Sequence, residues 1–227
     1  MPVTLLDRPV TTVAEAGRQL HIPDATLRHW LEGGERRGTR YEPVLRAEPT
    51  GSGQVTWGEM VEARYLRAYR ERVPMQRLRP FIASLRAEFG VPYPLAHFRP
   101  YVDENRSLVL RLQEEADLPD ELWLVFRLGA GQLRINPVVV NEFLDRVDFA
   151  EGGAGEVLRI HPMGKGAPVV IDPRVSSGAA QVAGVRTSIF AERVEGFGET
   201  PDELAAEFGL TQTQVKAAIA FEFEFAA

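Results

Sequence analysis

The chain has 227 residues, 44% hydrophobic and 26% charged, with a net charge of −6; these are ordinary globular values that exclude wholesale disorder and leave enough apolar material for a core. It contains no cysteine, which excludes disulfides, thiolate zinc sites, cysteine nucleophiles and thiol redox sensing. Its charge is unevenly spread: residues 1–100 hold 15 arginines against 11 acidic residues, whereas the remainder holds 11 basic and 21 acidic residues. A basic leading part suits nucleic acid and an acidic trailing part suits a basic protein partner.

The N-terminal MPVTLLDRPV lacks a basic region followed by an apolar one, so no secretory signal is expected. No run of eighteen apolar residues follows, so no membrane span is expected and a cytoplasmic location is the default. The first helix is predicted from Thr12, where Thr12 and Glu15 fit a capping box, with Val13, Ala16 and Leu20 at helical spacing. Pro23 ends it, and Asp24 is expected to cap a second helix. There Leu27, Trp30 and Leu31 share one face, while Thr26 and His29 lie on the other with Arg28 beside them. Gly33-Gly34 closes the unit. This is the outline of a helix-turn-helix, in which the second helix enters the major groove. An ordinary helical hairpin inside a core would give the same two-helix pattern.

The following residues favour DNA. Glu35-Arg36-Arg37-Gly38-Thr39-Arg40 is a basic loop, and Tyr41, Val44, Leu45 and then Val55, Trp57 flank the turn PTGSG, which suggests a hairpin. A hairpin at this place is a wing, whose arginines would sit over phosphates or in the minor groove. The candidate DNA-binding residues are therefore Thr26, Arg28, His29, Arg36, Arg37 and Arg40. A second capping box, Thr56 to Glu59, opens a helix striped by Val61, Tyr65 and Tyr69. A further helix holds Leu78, Ile82, Leu85 and Phe89, with Pro80 expected to kink it. The arginines at 64, 67, 70, 77, 79 and 86 read as a mainly solvated face.

From Ser107 the texture changes. SLVLRL, LWLVFRL and QLRI read as short strands split by EEADLPDE and by Gly129-Ala130-Gly131. Asn136-Pro137 introduces Val138, Val139, Phe143, Leu144 and Val147, which fit a helix. EGGAGE is a break and EVLRIH another strand. MGKGAP superficially suggests a phosphate loop, but its first glycine is misplaced and no Ser or Thr follows Lys165, so a turn is expected instead. VVIDP is a short strand. A helix around Ile189–Val194 ends at Gly198, and Thr200-Pro201-Asp202-Glu203 opens the next. After the turn Gly209-Leu210-Thr211, Val215, Ala218, Ile219 and Phe223 stripe a last helix. The three make a second tri-helical, helix-turn-helix-like unit. Its acidic surroundings oppose a duplex and favour protein contact, as does an aromatic tail with Phe221, Phe223 and Phe225 expected at the surface.

Two stretches resemble known families. Residues 11–96 resemble the winged DNA-binding domain of MerR-type regulators, and VTWGEMVEARYLRAYRERVPMQRLRPFIASLRAEFGVPYPLAH looks closer still to two-domain antitoxins of the VapB type. The chain lacks the long heptad helix by which MerR proteins dimerise. Residues 169–224, with VVIDP, Gly178, GVRT, GETPDELAAEFGL and QVKAAIAFE, resemble the small helix-turn-helix domain that closes many such antitoxins, with Ala180 where that domain usually carries Pro. The resemblance implies an antitoxin that neutralises a PIN-like ribonuclease toxin with a metal-dependent active site and represses its own operon, as a homodimer or a toxin–antitoxin hetero-oligomer. The alternative is a stand-alone MerR-like regulator with a small-molecule pocket in the strand-rich middle.

The expected fold is therefore mainly α with a minor β component, an α+β chain in three parts. They are a winged helix-turn-helix over 1–96, a strand-rich connection over 97–165 and a tri-helical unit over 166–227. No cofactor or metal is implied, since the four histidines (21, 29, 97 and 161) show no ligand spacing. Residues contacting a toxin are not legible. The best acid/base pair is Asp172 with His161; Asp before Pro more often forms a turn, and no enzyme is expected.

Overall fold

The computed structural model describes residues 4–36, 38–70, 75–97, 105–118, 123–127, 132–137, 141, 143–151 and 155–223. It shows an α+β fold in which a helical N-terminal unit packs on a small antiparallel sheet capped by three C-terminal helices.

Strand β1 (Pro9–Thr12) leads directly into α1 (Val13–Leu20) and α2 (Asp24–Glu32). Half of the first expected capping box forms: the Glu15 amide donates to Thr12 Oγ1 at 3.3 Å, but the Glu15 carboxylate turns to Arg18 and Gln19. Between the helices His21 takes the left-handed conformation, with φ 54°. Asp24 is not the cap of α2. Pro23 occupies that place, and its carbonyl accepts from the Thr26 and Leu27 amides at 2.8 and 3.0 Å. Leu27, Trp30 and Leu31 are buried as expected.

A hairpin follows α2, one step earlier than the sequence suggests, and is termed the wing for its place alone. Strands β2 (Gly34–Arg36) and β3 (Thr39–Tyr41) form the hairpin. The second half of the expected hairpin, β4 (Gln54–Thr56), pairs instead with β1, with Thr12 opposite Gln54. The reason is that the Val44 and Leu45 amides donate to the Trp30 carbonyl, at 2.8 and 3.0 Å. That pins residues 43–45 to α2 and leaves no partner strand there. The second box is complete: Glu59 N donates to Thr56 Oγ1 at 3.3 Å, and Thr56 N donates to the Glu59 carboxylate at 2.8 Å. It opens α3 (Trp57–Arg70), and α4 (Met75–Phe89) continues through Pro80 as one element.

In the middle, SLVLRL is helix rather than strand, part of α5 (Arg106–Glu115). Val109, Leu110 and Leu112 of that run are buried, while Arg111 faces out. A strictly alternating strand would not bury neighbours 109 and 110 on one face. The other two runs do pair, as β5 (Val125–Arg127) with β6 (Leu133–Ile135). Of the expected helix after Pro137, residues 144–146 form a 3-10 turn and Val147 begins a strand; Val138 and Val139 lie outside the described residues.

Strands β7 (Val147–Phe149), β8 (Val157–Ile160), β9 (Val170–Ile171), β10 (Ala180–Val182) and β11 (Val185–Arg186) form one antiparallel meander in sequence order. It draws two strands from before residue 165 and three from after it. Helices α6 (Thr187–Phe197), α7 (Pro201–Phe208) and α8 (Gln212–Phe223) follow, and α7 carries the expected Thr200 cap with its Glu203 partner. Phe221 is buried against the His21 ring, 6.0 Å between centroids, contrary to its expected exposure. Phe223 is partly exposed, Phe225 lies outside the described residues, and the most exposed large apolar side chain described is Phe197 at 76%.

The units are fused through buried contacts. Trp57 Nε1 donates to the Val157 carbonyl at 2.7 Å. A Cβ on Gly178 would meet Val10 Cβ at 2.9 Å, so the loop before β10 sits against β1 as only glycine permits. One continuous core holds residues from α1 through α8.

Candidate nucleic-acid interface

Helix α2 presents Thr26, Arg28 and His29 away from the buried Leu27–Trp30–Leu31 face. Arg28 is 57% exposed and makes an (i, i+4) pair with Asp24 at 3.3 Å. Pairs of this kind are worth little in water, so Arg28 can exchange Asp24 for a phosphate or a base edge. Arg40, on β3, is 81% exposed and reaches Glu42 at only 3.4 Å. Arg36 lies on β2; Arg37 lies outside the described residues. The described candidates thus occupy one helix and the hairpin that follows it.

His29 is anchored rather than extended. Its Nδ1 donates to the Gly33 carbonyl at 3.1 Å, which leaves Nε2 as an acceptor for Arg79 Nη2 at 3.5 Å. Its ring meets Tyr41 edge-on at 5.7 Å, and the Arg79 guanidinium lies 5.8 Å from the centre of the Tyr41 ring. Sequence reading placed Arg79 on a solvated face. It is instead half-buried where α2, the wing and α4 meet, with Nε and Nη1 unpartnered. Burial pulls its pKa down. The charges of Tyr41 and Glu42 nearby oppose that shift, but among the described residues no carboxylate forms an ion pair with it. Nothing local in the sequence marks it, because the contact spans 50 residues.

A second unforeseen residue holds α2 in place. Arg46 is buried, and its guanidinium donates to Glu59 at 2.7 Å, to Thr50 Oγ1 and the Gln54 carbonyl, both at 2.7 Å, and to Glu32 at the end of α2. Glu32 in turn accepts from the Thr50 and Gly51 amides, both at 2.9 Å. The PTGSG segment expected to be a wing tip is therefore a strap that ties the end of α2 to the start of α3. Gly33 permits the close approach of the wing: its φ is +68°, and a Cβ there would lie 2.3 Å from the Tyr41 carbonyl oxygen. Arg86 also leaves the expected solvated face, donating to the Pro92 and Val44 carbonyls at 2.8 and 3.1 Å.

The acid/base pair does not assemble. Asp172 accepts from Arg159 at 2.9 Å and from the Arg174 side chain at 2.9 and 2.7 Å. Although burial opposes it, these bonds hold its carboxyl down at about 2, too acidic for a general base near neutrality. It also accepts from the Arg174 amide at 2.9 Å, as a turn-forming Asp does. His161 pairs with Asp148 at 2.9 Å instead. Lys165 of MGKGAP lies 3.4 Å from the same Asp148, within a run of turns.

Residues 9–82 match a family model described as "Putative DNA-binding HTH domain". Those residues contain the helix pair, the wing, the strap and most of α4. The chain is 37% identical to "Uncharacterized protein Rv2308" of Mycobacterium tuberculosis, over 96% of this chain and 92% of that one. It is 31% identical to "Putative antitoxin VapB45" of the same organism, over 94% of this chain and 93% of that one. The chain belongs to the Rv2308/VapB45 family. A solved member of the same fold, the crystal structure of RV2018 from Mycobacterium tuberculosis, superposes with a TM-score of 0.72 at 29% identity, covering 95% of this chain and all of that one. The Rv2308/VapB45 kinship thus runs through the sheet and the C-terminal helices as well as the helix-turn-helix. No described helix is long and apolar enough to cross a membrane, and no cluster of three metal-ligating side chains occurs among the described residues.

Proposed function

We propose that the protein is the antitoxin of a two-component toxin–antitoxin pair and the repressor of its own operon. The carrying observation is kinship along nearly the whole length with the chain named "Putative antitoxin VapB45", joined to an N-terminal match to the family described as "Putative DNA-binding HTH domain". In this reading α2 enters the major groove, with Thr26 and Arg28 at base edges and His29 bracing the helix against the wing. Arg36, Arg37 and Arg40 ride over phosphates. Arg79 joins them as a phosphate contact from behind the wing. The acidic trailing part holds the toxin, which the sequence resemblance makes a PIN-like ribonuclease. The chain acts as a homodimer or within a toxin–antitoxin hetero-oligomer, since two-fold operators reward paired reading heads.

Co-expression with the product of the adjacent open reading frame tests the reading. The neighbour is expected to copurify, to lose its toxicity and its ribonuclease activity in the complex, and to leave a protein that shifts its own promoter fragment. A neighbour that never associates and a promoter that is never shifted would overturn it.

A further inference from the structure

A cavity of about 690 Å³ opens between α1 and the C-terminal unit. That volume falls in the usual range of a ligand pocket. Glu15 and Gln19 line it from α1, Glu192 and Glu195 from α6, and Glu222 and Phe223 from the end of α8. Among the described residues the cavity has two cations. Arg18 is consumed by Glu15 and Glu222, and Arg186 stands exposed where its charge falls on Glu15. Glu192 and Glu195, exposed and three residues apart on one helix, have no ion pair among the described residues.

Gln19 supplies the independent sign of a ligand. It is 2% exposed. Its Nε2 donates to Glu15 at 2.8 Å, which leaves Oε1 buried without a donor. A buried acceptor of this kind is met by a donor from outside the chain, a water or a ligand N–H. The surplus on the walls is of acceptors and negative charge, and the partly exposed Phe223 ring adds a π face. A planar cation with several N–H donors satisfies all of these at once, and the guanidinium is the protein group of that description. We infer that this cleft is the seat for an arginine side chain presented by the partner protein. The inference rests on the antitoxin reading, for which it names a contact surface.

Titration of the full-length protein with acetyl-arginine amide, followed by NMR, tests it. The Gln19 side-chain amide and the Phe223 ring resonances are expected to shift and saturate, while acetyl-glutamine amide leaves them unmoved. The double variant Glu192→Gln/Glu195→Gln lies on an exposed face and keeps the fold; it should weaken binding about ten-fold. Unsaturable shifts, equal shifts with the glutamine compound, or unchanged affinity in the double variant would overturn the seat. Co-expression separates the two readings: a neighbour that copurifies equally with wild type and double variant refutes the cleft and leaves the antitoxin intact. A neighbour that binds neither refutes the antitoxin, and the peptide titration still decides whether the cleft takes a guanidinium.

Discussion

Glu62 shows how one residue can set the pH response of the fold. It is fully buried on α3, and its carboxylate accepts from the Leu95 amide at 3.0 Å, with Arg86 at 3.8 Å. Burial dominates over both partners and lifts its pKa to about 8. Unfolded, the group titrates near the ordinary glutamate value, about 4.3. The folded state therefore keeps a proton that the unfolded state releases. Glu62 favours folding fully below about pH 4.3, and that contribution is lost as pH rises toward 8. Glu62→Gln preserves the acceptor for Leu95 and removes the titration. We expect urea melts of the variant and wild type to converge near pH 4.5 and separate by pH 8. There the variant should be the more stable, by an amount on the order of a few kcal/mol. Equal midpoints at pH 8 would refute this. The sequence could not have announced it: Glu62 sits beside Arg64 in a stretch whose composition reads as solvated, and its burial comes from the 93–97 segment folding over α3.

At the scale of elements, the proposed reading head is α2 with its hairpin, and the two described arginines on it with ion pairs are held loosely. Arg28 and Arg40 each lean on one exposed carboxylate. The double variant Arg28→Ala/Arg40→Ala should fold normally, lower operator affinity and flatten its salt dependence by roughly two counterions. An unchanged mobility shift and salt slope would remove this surface from the interface. Arg46→Met is expected to act differently, by leaving Glu32 and Glu59 uncompensated. It should destabilise the fold by about 3–5 kcal/mol, read as a lower unfolding midpoint. Local chemistry made most of these elements legible. Thr56 and Glu59, Thr200 with Pro201 and Glu203, and the Leu27–Trp30–Leu31 stripe carry their instructions within four residues. The misplacements arose where a distant partner decides. PTGSG has every mark of a hairpin turn, but Arg46, Glu32 and β1 claim its flanks. SLVLRL alternates convincingly, yet its apolar residues fit a helical face.

At the scale of the whole molecule, the leading and trailing parts differ in charge yet share a core. Trp57 spans them with its indole hydrogen bond to Val157, Val10 is packed on Gly178, and Glu222 ties α8 to both Arg18 of α1 and Thr187 of α6. Cutting the chain after residue 97 would expose Trp57 and Val10 to water. Full-length protein is accordingly expected to unfold in one transition, with tryptophan fluorescence and far-UV circular dichroism superimposable along a urea series. Two separated transitions would show that the parts fold independently. The sequence revealed the polarity of charge but not this fusion, because the residues that make it are 100 or more positions apart.

Gly33 carries a consequence for anyone wishing to retarget the molecule. The backbone of the third strand lies where a methyl group at this position would have to go. Substitutions meant to change what α2 reads could therefore fall on its outward positions, such as 25, 26, 28 and 29, but not on the junction. Even alanine there would push the hairpin off its track and carry Arg40 away from its place beside α2.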